Sequence, residues 1–182
     1  MPHKLCINDR YMNMGSKMFV RQPVSSKKTR RIISFIENIG FTLISKNIIE
    51  SIVYVDKELD RRYYLLKTDV CNAIIISFNK YYIPFLETIS CFEDIPSITV
   101  DEGAAKAVLR GADLMAPGVK NLDEFEKDKL VVIKYNNSYL ALGKTLYSSS
   151  EIKMMNKGKI VEILHYKGDK LWRRIKSIST EV

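Results

Sequence analysis

Isoleucines 32, 33, 36 and 39 recur at three- and four-residue spacing, with Ser25 and Ser26 just ahead of them and Gly40 behind. That period belongs to an amphipathic helix, and serine and glycine are its natural start and stop. The period then changes. Ser51–Val55, Tyr63–Leu66 and Ala73–Ser77 are rich in Ile, Val and Tyr, with charged or Asn/Asp turns between them, and read as strands. Pro84 can open a short helix through Leu86, Ile89 and Phe92, because its fixed φ suits a first helical turn. Phe92–Ser97, carrying Glu93, Asp94 and Pro96, reads as a linker.

Beyond it a short β-run ends at Asp101, a good N-cap. A helix rich in Ala and Leu follows and stops at Gly111, and a second glycine turn comes at Pro117-Gly118. Leu130–Tyr135 and Tyr139–Tyr147 are joined by Asn136-Asn137, a hairpin signal. Ser148–Glu151 cap a short helical turn through Met154. Lys159–Tyr166 and Lys170–Ile175 then read as a second hairpin around Lys167-Gly168-Asp169. The pattern predicts an α+β protein in four parts. Residues 1–17 are a loose extension, 18–95 a small helix-plus-sheet domain, 96–176 a small, partly open barrel and 177–182 a tail.

Composition narrows the function classes. The chain has 182 residues, 46% of them hydrophobic, enough for one medium domain or two small ones with real cores. Its net charge of +8 favours an anionic partner such as RNA, DNA or a membrane surface. No apolar run approaches the length of a membrane span, and the charged first ten residues are no secretory signal. Cys6, Cys71 and Cys91 are odd in number and form no CxxC pair, so thiols in a reducing compartment are expected rather than a metal site. A cytoplasmic protein follows from these readings.

No catalytic or cofactor-binding constellation stands out. Gly143-Lys144-Thr145 lacks the glycine a phosphate loop needs five positions earlier, where Ser138 stands, and it lies in a predicted strand. His165 is the only histidine outside the extension, and Cys71 and Cys91 sit in apolar or aromatic runs that read as core. Glu93 and Asp94 read as linker, and Asp101 and Glu102 as helix cap and first turn. The glycine-flanked helix is different. Lys106 and Arg110 are four apart on it and share a face, and the turns at Gly111-Ala112 and Pro117-Gly118 can bring bare backbone to a ligand. Cations beside free N–H groups suit a nucleic-acid backbone, although a capped helix with solvated charges has the same spacing. Near the end, Lys157, Lys159, Lys167, Lys170, Arg173, Arg174 and Lys176 face only Glu162 and Asp169, with Tyr166 and Trp172 among them. Cations interleaved with rings suit looped or single-stranded RNA.

Residues 99–118 look like the opening of a PUA domain, the RNA-binding module named after pseudouridine synthases and archaeosine transglycosylases. Asn156-Lys157-Gly158-Lys159, Ile163-Leu164-His165-Tyr166 and Gly168-Asp169-Lys170-Leu171-Trp172 are similar in order and spacing to the closing strands of the malignant T-cell-amplified sequence family. Tyr82-Ile83-Pro84-Phe85-Leu86 resembles the tyrosine-proline-leucine element that precedes the PUA domain there. The resemblance covers residues 18–176, is specific after residue 96, and is to an archaeal-type member.

It implies a non-catalytic RNA-binding protein of translation. Such a protein acts at the small ribosomal subunit in initiation or recycling, with ribosomal or transfer RNA. Some members work with a partner that carries an initiation-factor-like domain. An accessory subunit of an RNA-modification enzyme and a protein-binding adaptor are the alternatives. By the same resemblance, Lys106, Arg110, Gly111, Ala112, Pro117 and Gly118 form the RNA surface. A closing strand with Lys170, Arg173 and Arg174 completes it.

Overall fold

The computed structural model describes residues 11–14, 17–78 and 81–179. Strands β1 (Tyr11–Met14) and β2 (Lys17–Pro23) lead into helix α1 (Ser26–Asn38). Ser25 is its N-cap, its hydroxyl accepting from the Lys28 N–H at 3.3 Å. Thr29, Ile32 and Ile36 are the buried positions, so the isoleucine period is the face that docks. Each such isoleucine is worth about 1.5–3 kcal/mol on full burial. Gly40, with φ +95°, takes the left-handed conformation that ends the helix.

Strands β3 (Thr42–Leu43), β4 (Ile48–Asp56), β5 (Arg61–Thr68), β6 (Asn72–Phe78) and β7 (Tyr81–Pro84) come next. A 3₁₀ helix at Leu86–Cys91 and strand β8 (Phe92–Glu93) close this half. The large sheet is antiparallel in the order β1-β2-β4-β5-β6-β7. The segment read as loose therefore contributes a strand at Tyr11–Met14, paired from Tyr11 opposite Val20 to Met14 opposite Lys17. The linker reading also changes at its start. Phe92 is buried, and β8 pairs with β3. Cys71 and Cys91 are joined as a disulfide, with Cα atoms 6.0 Å apart, instead of standing as separate thiols. The turn after β5 and the end of the 3₁₀ helix bring them together, while Cys6 lies outside the described residues.

The second half opens with β9 (Ser97–Val100) and α2 (Glu102–Val108). It continues through β10 (Leu114–Met115), a 3₁₀ turn at Ala116–Gly118 and β11 (Val119–Leu122). Strands β12 (Leu130–Tyr135) and β13 (Ser138–Thr145), helix α3 (Ser149–Lys153), strand β14 (Lys159–Tyr166) and helix α4 (Lys170–Ser179) complete it. The sheet runs β10-β14-β13-β12-β9-β11 and curls into a half-barrel, with only β9 and β12 parallel. Asn136 and Asn137 both have positive φ, 45° and 61°, which is the turn geometry of a tight hairpin.

The chain's last element corrects the sequence reading. Lys170–Ile175 is the start of a helix, not of a strand. Asp169 decides it: its carboxylate accepts the Trp172 N–H at 2.6 Å, capping the first turn. Leu171 and Ile175, four residues apart, then fall on one buried face.

That face binds the two halves together. Leu171, Ile175, Leu130, Val132 and Leu142 belong to the same continuous core as Ile36, Tyr63, Ile76 and Phe85 of the first half. A second core, built around Ile98, Val108, Ile133 and Val161, fills the half-barrel alone. At the junction Arg174 is 2% exposed. Its guanidinium grips Asp56 through Nε–Oδ2 and Nη2–Oδ1, the latter at 2.6 Å, and Nη2 reaches Glu58 at 2.8 Å. Asp56 also accepts the backbone N–H groups of Glu58 and Leu59 at 3.0 and 3.1 Å. Burial pushes the Asp56 carboxyl up, but Arg174 and those N–H groups outweigh it and hold the group below the usual carboxylate range.

Candidate nucleic-acid interface

Helix α2 is held by Asp101, whose Oδ1 accepts the Ala104 N–H at 2.8 Å. Its far end closes in a Schellman pattern. Gly111 N–H reaches Val108 O at 2.9 Å and Ala112 N–H reaches Ala107 O at 3.1 Å. Gly111 takes φ +87°, the conformation that pattern demands. A side chain there would also meet the Tyr166 ring at 3.1 Å. Gly111→Val should therefore lower stability by about 1–2 kcal/mol through backbone strain alone. A thermal melt would show the loss as a Tm several degrees lower, and an unchanged Tm would contradict the left-handed turn.

The predicted site residues fall in three settings. Arg110, Gly111, Ala112 and Pro117 are exposed at the end of α2 and on the turn facing it. Lys106 is also exposed and pairs with Glu102 one turn back at 2.6 Å, a solvated pair that a phosphate can displace at little cost. Gly118 is used inside the fold. A Cβ there would stand 2.4 Å from the Ala104 Cβ, so its missing side chain serves helix packing.

Lys170 and Arg173 are exposed on the first turns of α4. Tyr166, packed on Gly111, leads through Lys167–Asp169 into that helix. Arg174 does not join them, because it is buried against Asp56 and cannot meet a ligand. Its partner lies 118 residues away in sequence, and no local pattern announces it.

His165 is fully buried behind this edge. Its Nδ1 lies 2.7 Å from Asp169 Oδ2, and its ring stacks on Phe85 with centroids 5.3 Å apart. Trp172 packs on Phe85 at the same spacing. Burial pushes the Asp169 carboxyl up, and His165 with the Trp172 and Tyr166 N–H groups brings it below its ordinary value. These residues brace α4 against the sheet. Among the described residues no three His, Cys, Asp or Glu side chains cluster closely enough to hold a metal ion. Nor is any helix among them long and apolar enough to cross a membrane.

The PUA domain model matches residues 96–167, which span β9 to the turn after β14. Residues 96–167 carry the PUA fold. Over 110 residues the protein is 37% identical to translation machinery-associated protein 20 of Saccharomyces cerevisiae. That match covers 54% of this chain and 61% of the yeast protein. Malignant T-cell-amplified sequence 1 of Rattus norvegicus is 33% identical over 111 residues, again with 61% of that protein covered. The chain thus spans about three-fifths of the curated eukaryotic relatives it matches. An uncharacterized protein of Methanocaldococcus jannaschii is 29% identical over 172 residues, covering 88% of this chain and 98% of that one. A conserved PUA domain protein from Thermoplasma acidophilum superposes with a TM-score of 0.66 at 24% identity, over 85% of this chain and 98% of that one. The resemblance read from residues 99–118 and 156–172 is therefore correct at the level of the PUA domain and its translation-associated relatives.

Proposed function

We propose that this PUA protein binds RNA without catalysis, as part of the translation machinery, at the small ribosomal subunit during initiation or recycling. The supporting observation is the exposed turn of Arg110, Gly111, Ala112 and Pro117, packed by Tyr166, from which the chain runs on to the exposed Lys170 and Arg173. The Gly111 and Ala112 N–H groups are taken up by Val108 O and Ala107 O, so the turn meets a phosphate backbone through the charge of its exposed cations rather than through free N–H groups. The name of the yeast relative supports the link to translation. In this reading the first half of the chain meets ribosome or protein, including a partner with an initiation-factor-like domain.

Co-sedimentation with isolated small ribosomal subunits tests the assignment. Recovery instead with a modification enzyme and free transfer RNA would move the protein to that class. Salt dependence tests the surface. Each lost phosphate contact flattens the log–log salt slope by about 0.7–0.9. Arg110→Ala and Arg173→Ala should each weaken RNA binding and flatten the slope by that amount, measured by anisotropy of labelled RNA. Unchanged slopes in both would place the surface elsewhere.

A further inference from the structure

Val132 and Leu142 face the core shared by the two halves, and His165 pairs with Leu142 on that same side. Following these rows outward leads to a different surface from the one at α2. Two residues beyond Val132 stands Lys134, and two beyond His165 stands Lys167. A register shift after Ile133 makes Leu140 the extra residue of β13, and Lys134 then opposes Tyr139. The Lys134 ammonium sits over the Tyr139 ring at 5.4 Å, and Tyr139 is 40% exposed. The Lys167 ammonium lies 6.0 Å from the centre of the half-buried Trp172 ring. The Lys167 N–H donates to Leu140 O at 2.8 Å, which joins the hairpin tip to the turn before α4.

Charge around these two pairs is one-sided. No Asp or Glu occurs from Lys129 to Ser150. From Ile163 to Thr180 the only one is Asp169, and its carboxylate is occupied by His165 and the backbone. A ring with a cation over it, exposed at Tyr139 and half-buried at Trp172 on the first turn of α4, is the composition of a base-stacking platform. We propose that Lys134, Tyr139, Lys167 and Trp172 form a second RNA contact, which stacks unpaired bases of single-stranded RNA on the side of the PUA domain opposite the half-barrel core. This rests on the RNA-binding reading above and extends it. A strand held at Arg110 and Gly111 can pass the turn before α4 and continue across this second face.

The test uses the full chain and a short oligouridylate, which has no secondary structure of its own. Binding is read by anisotropy of the labelled strand. It is read independently by emission of Trp172, the only tryptophan in the chain. The expected result is quenching of Trp172 on binding, a loss of about tenfold in affinity for Tyr139→Ala, and near-full affinity for Tyr139→Phe, which keeps the ring. Tyr139 neither caps a helix nor lies in either core, so these variants fold. If the wild type binds but Tyr139→Ala binds equally and Trp172 emission stays constant, the second face is wrong and the first surface stands. If the wild type binds no RNA, the RNA reading itself falls. Displacement of the strand from wild type but not from Tyr139→Ala by oligoglutamate would assign the face to an acidic protein instead.

Discussion

Replacing Arg174 with methionine is expected to cost the folded protein about 3–5 kcal/mol, the effect of removing one member of a buried ion pair. The loss comes less from the missing attraction than from Asp56, which stays buried with no guanidinium beside it. Glu58, itself a carboxylate and a second partner of Arg174, cannot replace the lost positive charge. Urea unfolding of the two proteins at neutral pH measures the difference, and a loss below about 1 kcal/mol would mean that the pair is solvated.

The pH dependence carries a sign. In the wild type Asp56 titrates below its unfolded value, so its contribution is complete above about pH 4 and is lost as pH falls through the native value. In Arg174→Met burial dominates and raises the carboxyl above its unfolded value. Its contribution then improves with acid instead of fading. Repeating the unfolding series from about pH 6 to about pH 3 should show the gap between the proteins closing. A constant gap would mean that Asp56 is not the linked group. At neutral pH the folded variant should keep the wild-type salt slope for RNA, in contrast to Arg173→Ala.

The second large effect concerns the PUA half alone. Residues 96–182 are expected not to fold stably as a fragment, although the change of composition at Phe92–Ser97 suggests a separable domain. Cutting there strips Leu130, Val132, Leu142, Leu171 and Ile175 of the core they share with the first half. It also strands His165 and Trp172 without Phe85, and Arg174 without Asp56. Such a fragment should show weak near-ultraviolet dichroism from Trp172, bind a hydrophobic dye and melt without cooperativity. The full chain should unfold in one transition. A fragment that unfolds cooperatively with native dichroism would show that the half-barrel core around Ile98 and Val161 suffices.

The features legible in the sequence share one property: the groups that decide them lie within a turn or two of each other. Ser25 and Asp101 cap the N–H groups that follow them, Gly111 supplies the left-handed residue its own helix end requires, and Asn136-Asn137 tolerates the positive φ of a tight hairpin. The isoleucine period of α1 is a property of one helix and needs no knowledge of its partner. The cation-and-glycine edge at Arg110 and Gly111 was visible for the same reason.

Distant partners decided the rest. Lys170–Ile175, following the turn at Lys167-Gly168-Asp169, reads as the return strand of a hairpin. It became a helix because Asp169 caps it and because Leu171 and Ile175 find an apolar surface built largely from residues 19–92. Cys71, in a turn, meets Cys91 at the end of the 3₁₀ helix, and Gly118, in a 3₁₀ turn, meets Ala104 of α2, contacts that only the folded chain brings about. Arg174, read among its neighbours as one more cation for RNA, is neutralised by a carboxylate 118 residues away. A basic residue's neighbours in sequence set how much positive charge a segment carries, but only the packing of the two halves determines which of those charges still face solvent.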